Sequence, residues 1–234
     1  MKVHFDLDAG PLDIELPDGL QHHHASHPIG FLLDPRERNQ TKVYLDNVYS
    51  MAKLLPTDQH VLELFGGMGI YPKILWSMLK PRSWTSVDID ASLEPLYQGP
   101  EGSKFVAANA MTFPVPAVAP GILYIDVPTG TLQTIGRNMD GRRPMFERFM
   151  AARIPHIIAT DMGYFWCHLK NHHPWYEATF GIVPTKANYH ILYDQYMGDQ
   201  FGYKVIDERH GSGCQIFHLV PHAKWLDPTE LHKL

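Results

Sequence analysis

Glu63-Leu-Phe-Gly-Gly-Met-Gly69 is the stretch that decides how this chain folds. A short apolar run, His60–Phe65, leads into it. A helical stripe of Tyr71, Ile74, Leu75, Met78 and Leu79 follows, with Pro72 in the first turn, where a missing N–H costs nothing. A glycine-rich turn between a strand and a helix lets the backbone approach a ligand and aims free amides at it. Gly66, Gly67 and Gly69 supply the freedom this needs, because glycine is required where a Cβ would clash or φ is positive.

Asp88 is a second, independent feature. It lies 22 positions after Gly66 at the end of the next predicted strand, Thr85–Ile89. A carboxylate there accepts hydrogen bonds from both hydroxyls of an adenosine ribose, and dinucleotide folds use the same ~20-residue offset. Asp90 is a nearby substitute, but alternation along the strand favours Asp88.

On both sides of this segment, strand and helix signals alternate. Before the glycine turn, Tyr44, Val48, Met51 and Leu55 mark an amphipathic helix stopped by Pro56. After it come Lys104–Ala108 as a third strand and Ile122–Ile125 as a continuous apolar run, the pattern of a strand buried on both faces. Met145, Phe146, Phe149 and Met150 give a helix after Pro144, and His156–Thr160 a fifth strand. Two further runs, Tyr203–Glu208 and Cys214–Val220, are joined by too short a link for a parallel crossover and must form an antiparallel hairpin. The fold class is therefore α/β: a doubly wound, mostly parallel seven-stranded sheet with a C-terminal antiparallel hairpin. Residues 1–40, broken by prolines and glycines, read as an N-terminal extension of short strands and loops that wraps a single domain spanning 41–234.

Across roughly residues 41–220 the sequence resembles the class I methyltransferases that use S-adenosylmethionine (SAM). Their first motif, an acidic residue and a glycine loop, is matched by Glu63 with Gly66, Gly67 and Gly69. The second is matched by Val87-Asp88-Ile89 and the third by Asn109-Ala110. The resemblance implies that SAM is the cofactor and that Glu63 acts near the methionine amino group, through its backbone or a water. It also implies that Asp88 takes the ribose hydroxyls and that Asn109 accepts from the adenine amine. An NAD-type dinucleotide enzyme is the rival. Its third glycine would be Pro72, and the late hairpin is foreign to its sheet.

In a doubly wound sheet the chemistry happens beyond the carboxyl ends of the strands. Asp126-Val-Pro-Thr-Gly130 stands there after the fourth strand. The segment is similar to one in many methyltransferases that modify a base amine, which carry Asp/Asn-Pro-Pro and an aromatic at this place. The chain keeps Asp126 and Pro128, with Val127 and Thr129 replacing the other two. Asp126 and Pro128 are the candidate catalytic residues, and Thr129, Tyr164 and Trp166 the candidate substrate contacts. Tyr164, Phe165 and Trp166, past the fifth strand, also suit lid or core packing. Cys167 as a covalent nucleophile lacks its surrounding motif. His22, His23, His24 and His27 read as a surface cluster, since neighbouring imidazoles on an extended chain face opposite ways. Nothing in the spacing of His168 or His210 selects them as bases.

Bulk properties set limits. The net charge of −5 disfavours a long electrostatic footprint on nucleic acid. Arg137, Arg142, Arg143, Arg148 and Arg153 remain a candidate basic patch or a solvated surface. Two cysteines exclude a disulfide framework. No apolar run approaches the ~20 residues of a membrane span, and no basic-then-apolar leader opens the chain, so a cytoplasmic location is expected. The expected partner is a methyl acceptor, DNA or RNA, modified on a base amine by in-line displacement. A small-molecule or protein acceptor and a non-catalytic SAM-fold binding module are the alternatives.

Overall fold

A computed structural model describes residues 2–16, 38–126, 132–138, 141–161, 173–211 and 214–222. Two strands, β1 (Lys2–Leu7) and β2 (Gly10–Glu15), form an antiparallel hairpin of their own. Its two-residue turn ends at Gly10, whose φ of 109° favours glycine. The main sheet holds β3 (His60–Leu64), β4 (Ser83–Asp88), β5 (Ser103–Ala107), β6 (Ile122–Ile125), β7 (His156–Asp161), β8 (Tyr203–Gly211) and β9 (Cys214–Pro221). Their spatial order is β5-β4-β3-β6-β7-β9-β8. The first five strands run parallel, and β9 pairs antiparallel with both β7 and β8. This is the sheet expected from the sequence. Its order reverses between β3 and β6, where doubly wound sheets open a ligand crevice.

Side-chain alternation sorts the core into two layers. Val61, Trp84, Ile122, Tyr124, Ile158 and Ile216 face one side, packed against α1 (Arg38–Ala52) and α2 (Ile70–Leu79). Leu62, Leu64, Val87, Leu123, Ile125, Ile157 and Phe217 face the other. There they meet α3 (Leu132–Gly136), α4 (Arg142–Ala151), α5 (His173–Phe180) and α6 (Tyr189–Phe201). With every residue of β6 buried, that strand is the central member of the sandwich.

The crossovers differ in build. A full helix, α2, links β3 to β4, but a 3-10 helix over Ala91–Leu96 links β4 to β5. The β5-to-β6 connection has no helix, in keeping with Pro114, Pro116 and Pro120 along it.

The amino-terminal hairpin belongs to the first core layer. Val3, Phe5, Leu7, Leu12, Ile14 and Leu16 are all buried there. Polar contacts fix its position: the Asp8 amide donates to Asp46 Oδ1 of α1 at 2.8 Å. Gln98 brackets Glu15 as a neighbouring strand would, its Nε2 donating to the Glu15 carbonyl and its Oε1 accepting from the Glu15 amide.

Candidate active site

The glycine loop turns by alternating backbone hand. Phe65, Gly67 and Gly69 have φ values of 65°, 52° and 74°, so a phenylalanine holds a left-handed position that normally favours glycine. Gly66 and Gly69 are demanded by close packing. A Cβ on Gly66 would lie 2.7 Å from Ser86 Cβ, and one on Gly69 would lie 2.4 Å from the Tyr97 ring. Gly69 also opens α2, whose first turn contains Pro72.

Glu63 is 2% exposed and points into the first core layer. Its Oε2 accepts from Trp84 Nε1 at 2.9 Å and Ser86 Oγ at 2.6 Å. Burial lifts its carboxyl from the ordinary 4.5 to about 8, outweighing those two donors; the charges of Asp126 and Asp88 add to the rise. The folded chain therefore holds a proton between pH 4.5 and 8 that the unfolded chain releases, so stability falls as pH climbs through that window. Glu63→Gln removes this titration. Urea melts should show it matching the parent near pH 4.5 and exceeding it at pH 8 by on the order of 3 kcal/mol. Equal pH dependence in the two proteins would refute the assignment.

Asp88 ends β4 beside the loop and is 5% exposed. Its Oδ2 accepts from the Gly67 amide and its Oδ1 from the Asp90 amide, each at 3.1 Å. The side chain of Asp90 caps the following 3-10 helix, accepting from the amide and hydroxyl of Ser92. Next to Asp88, Ile89, the last residue of the second motif, is 71% exposed at the carboxyl edge. Asn109 and Ala110 follow β5 at the same edge, held near Asp88 by the Ala108 amide donating to the Asp88 carbonyl. Ala110 is buried, and the exposed Asn109 accepts from the Met111 amide through Oδ1.

Asp126 stands just past β6, its amide bonded to the Leu64 carbonyl at 3.2 Å, so it reaches the edge from which the glycine loop departs. It is 3% exposed. Tyr71 donates to its Oδ2 and Thr160 to its Oδ1. Asp161, at the end of β7, is a further buried carboxylate at this edge and accepts from Tyr189 at 2.8 Å. Tyr71 and Tyr44 read from sequence as helical core residues; only their hydroxyl partners mark them as part of the site. Pro128, Thr129, Tyr164, Trp166, Cys167 and His168 lie outside the described residues, as do His22, His23, His24 and His27. His210, at the far edge on β8, pairs with Glu208 and accepts from Asn47 of α1 through its carbonyl.

The arginine cluster is largely tied into the fold. Arg143 pairs with Glu147 and donates to Tyr196 and Gln200 of α6. Arg148 donates to the Met111 carbonyl at 2.9 Å, and Arg142 is buried. Among the described residues no cluster of histidine, cysteine and carboxylate side chains is fit to hold a metal, and no helix is long and apolar enough to cross a membrane.

No protein-family model and no curated protein matches the sequence. Solved structures do match. A chain from the Haloferax volcanii complex of a methyltransferase with the Trm112 methyltransferase activator superposes with a TM-score of 0.52 at 11% identity, covering 80% of this chain and 96% of that one. A SAM-dependent methyltransferase from Aquifex aeolicus gives 0.50 at 14% identity, covering 80% and 94%. At such identities the likeness is one of fold, and it agrees with the strand order and terminal hairpin. The chain has the fold of the class I SAM-dependent methyltransferases.

Proposed function

We propose that the chain is a SAM-dependent methyltransferase that modifies an amine of a nucleic-acid base. The observation that carries the cofactor reading is Asp88, anchored against Gly67 at the carboxyl edge. An ionised carboxylate has about four acceptor positions. The Gly67 and Asp90 amides take one on each oxygen, which leaves one on each for the two ribose hydroxyls. Exposed Ile89 beside it suits the apolar face of adenine. The side-chain amide of Asn109 stands at the neighbouring strand end for its polar edge.

SAM, when bound, supplies an electrophilic methyl group on a sulfonium. The protein's part is to hold donor and acceptor in line, and alignment of this kind supplies much of the rate gain in bimolecular transfers. Asp126 is the group proposed to orient the accepting amine. Its place after β6, with Pro128 two positions further along the chain, is the support for a base amine. The engagement of Arg143 and Arg148 in intramolecular contacts favours a second reading, a small-molecule amine acceptor.

Two measurements test this. Saturating SAM at ~100 times its dissociation constant should stabilise the fold by about 2.7 kcal/mol, seen as a rise in melting temperature. Tritiated methyl should then pass from SAM into DNA or RNA pools. Label entering only a metabolite pool would replace the base-amine reading with the second one, and no thermal response to SAM would reject both.

A further inference from the structure

Three hydroxyls from three elements converge on one carboxylate beneath the carboxyl end of β6. Tyr71 of α2 donates to Asp126 Oδ2 at 3.1 Å, and Thr160 of β7 donates to Oδ1 at 2.8 Å. Tyr44 of α1 reaches Oδ1 at 3.4 Å, and its hydroxyl also meets that of Tyr71. All four residues are buried. Packing alone does not call for this: phenylalanine and valine would fill the same space without polar atoms to satisfy.

Among the described residues, Glu63 on β3 and Cys214 on β9 also feel the charge of Asp126, and Cys214 feels in addition the buried Asp161 at the end of β7, next to Thr160. Burial pushes the Cys214 thiol up to about 12 and Glu63 up to about 8, so both are largely uncharged at neutral pH. Burial also holds the Tyr44 and Tyr71 hydroxyls well above their ordinary range, so they keep the protons they donate.

We infer that Tyr71, Tyr44 and Thr160 are positioning residues that hold the Asp126 carboxylate ionised and in one orientation, a stationary hydrogen-bond acceptor for the methyl-accepting amine. Donors to a carboxylate favour its charged form and lower its proton affinity. The same donors make it a poor base, and a prearranged acceptor needs no reorganisation when the amine docks. The inference rests on the methyltransferase reading and narrows its acceptor to a nitrogen that would take the methyl group with its lone pair as the carbon–sulfur bond breaks, leaving a neutral thioether, and would give up its extra proton to water only afterwards. A hydroxyl acceptor, which needs a base, does not fit.

The test begins on the protein without ligand, by carbon-13 NMR titration of the Asp126 carboxyl, assigned by its loss in Asp126→Asn. Tyr71→Phe, and independently Thr160→Val should the first fold poorly, are expected to raise the proton affinity of Asp126 roughly tenfold. In methyl transfer the same variants should lower kcat roughly tenfold with KM for SAM unchanged, the acid limb of the kcat profile moving to higher pH. An unmoved titration in folded variants overturns the clamp and leaves the methyltransferase reading standing. A moved titration with unchanged kcat and pH profile overturns the positioning role. A moved titration in a protein that binds no SAM overturns the functional reading beneath it.

Discussion

Asp88→Ala is expected to weaken SAM binding by roughly a hundredfold or more while the chain stays folded. Each hydrogen bond from a ribose hydroxyl to an ionised carboxylate contributes about 1.5–3 kcal/mol, so losing two removes about 3 kcal/mol at the least. Asp88 also receives the Gly67 and Asp90 amides, and at 5% exposure their loss should cost about 1–2 kcal/mol of stability. For a chain of 234 residues that is a fall of several degrees in melting temperature, with cooperative unfolding retained. Asp88→Asn should fall between, since its single oxygen still accepts one partner while its NH2 group repels the others. Calorimetric titration with SAM reads the effect directly. Affinity within threefold of the parent would show that the ribose does not sit on Asp88. The parent should give no heat with NAD, because the antiparallel β9 and β8 depart from the dinucleotide-binding sheet, even though that fold also uses an acidic residue at this offset.

Much of this edge was legible from residues 60–90 because its signals are local. Strand, glycine turn, helix and the carboxylate 22 positions on are properties of one continuous segment, and the backbone follows them with only small shifts in strand ends. The terminal hairpin was legible for the same reason: the link between its strands is too short for any other pairing. What escaped was encoded by long-range contact or by weak periodicity. Tyr44 and Asp126 are 82 positions apart, and Tyr71 and Asp126 are 55 apart, so nothing in the helical stripes says where those hydroxyls point. Half of the buried residues of α6 are tyrosines, Tyr189, Tyr193 and Tyr196, whose moderate hydropathy blurs the stripe. Phe65 is the opposite case, a bulky residue at a left-handed position where local preference expects glycine. Tertiary context overrides the preference there, since the Gly66 amide is fixed by the Val87 carbonyl at 3.1 Å.

Asp126→Asn should leave SAM affinity within about threefold of the parent and lower kcat by about 10²–10³, the range found when one preorganised polar contact to a reacting group is lost. Asparagine is the right probe because of what surrounds the carboxylate. Alanine would strand the hydroxyls of Tyr71 and Thr160 in a buried space, at about 1–3 kcal/mol each, and confound activity with folding. Asparagine keeps one oxygen for those donors, and its NH2 group can donate to a hydroxyl oxygen in turn. The change that matters is at the acceptor nitrogen. A neutral amide draws an amine N–H less strongly than a carboxylate, so its lone pair is held less firmly on line with the methyl group. The expected split between binding and turnover is what would separate this residue from Asp88: the carboxylate at the end of β4 should govern whether the cofactor is held, and the one after β6 whether its methyl group moves. Single-turnover transfer by Asp126→Asn at the parental rate would reduce the hydroxyl-lined carboxylate to a fold anchor and move the acceptor contact elsewhere along the same edge.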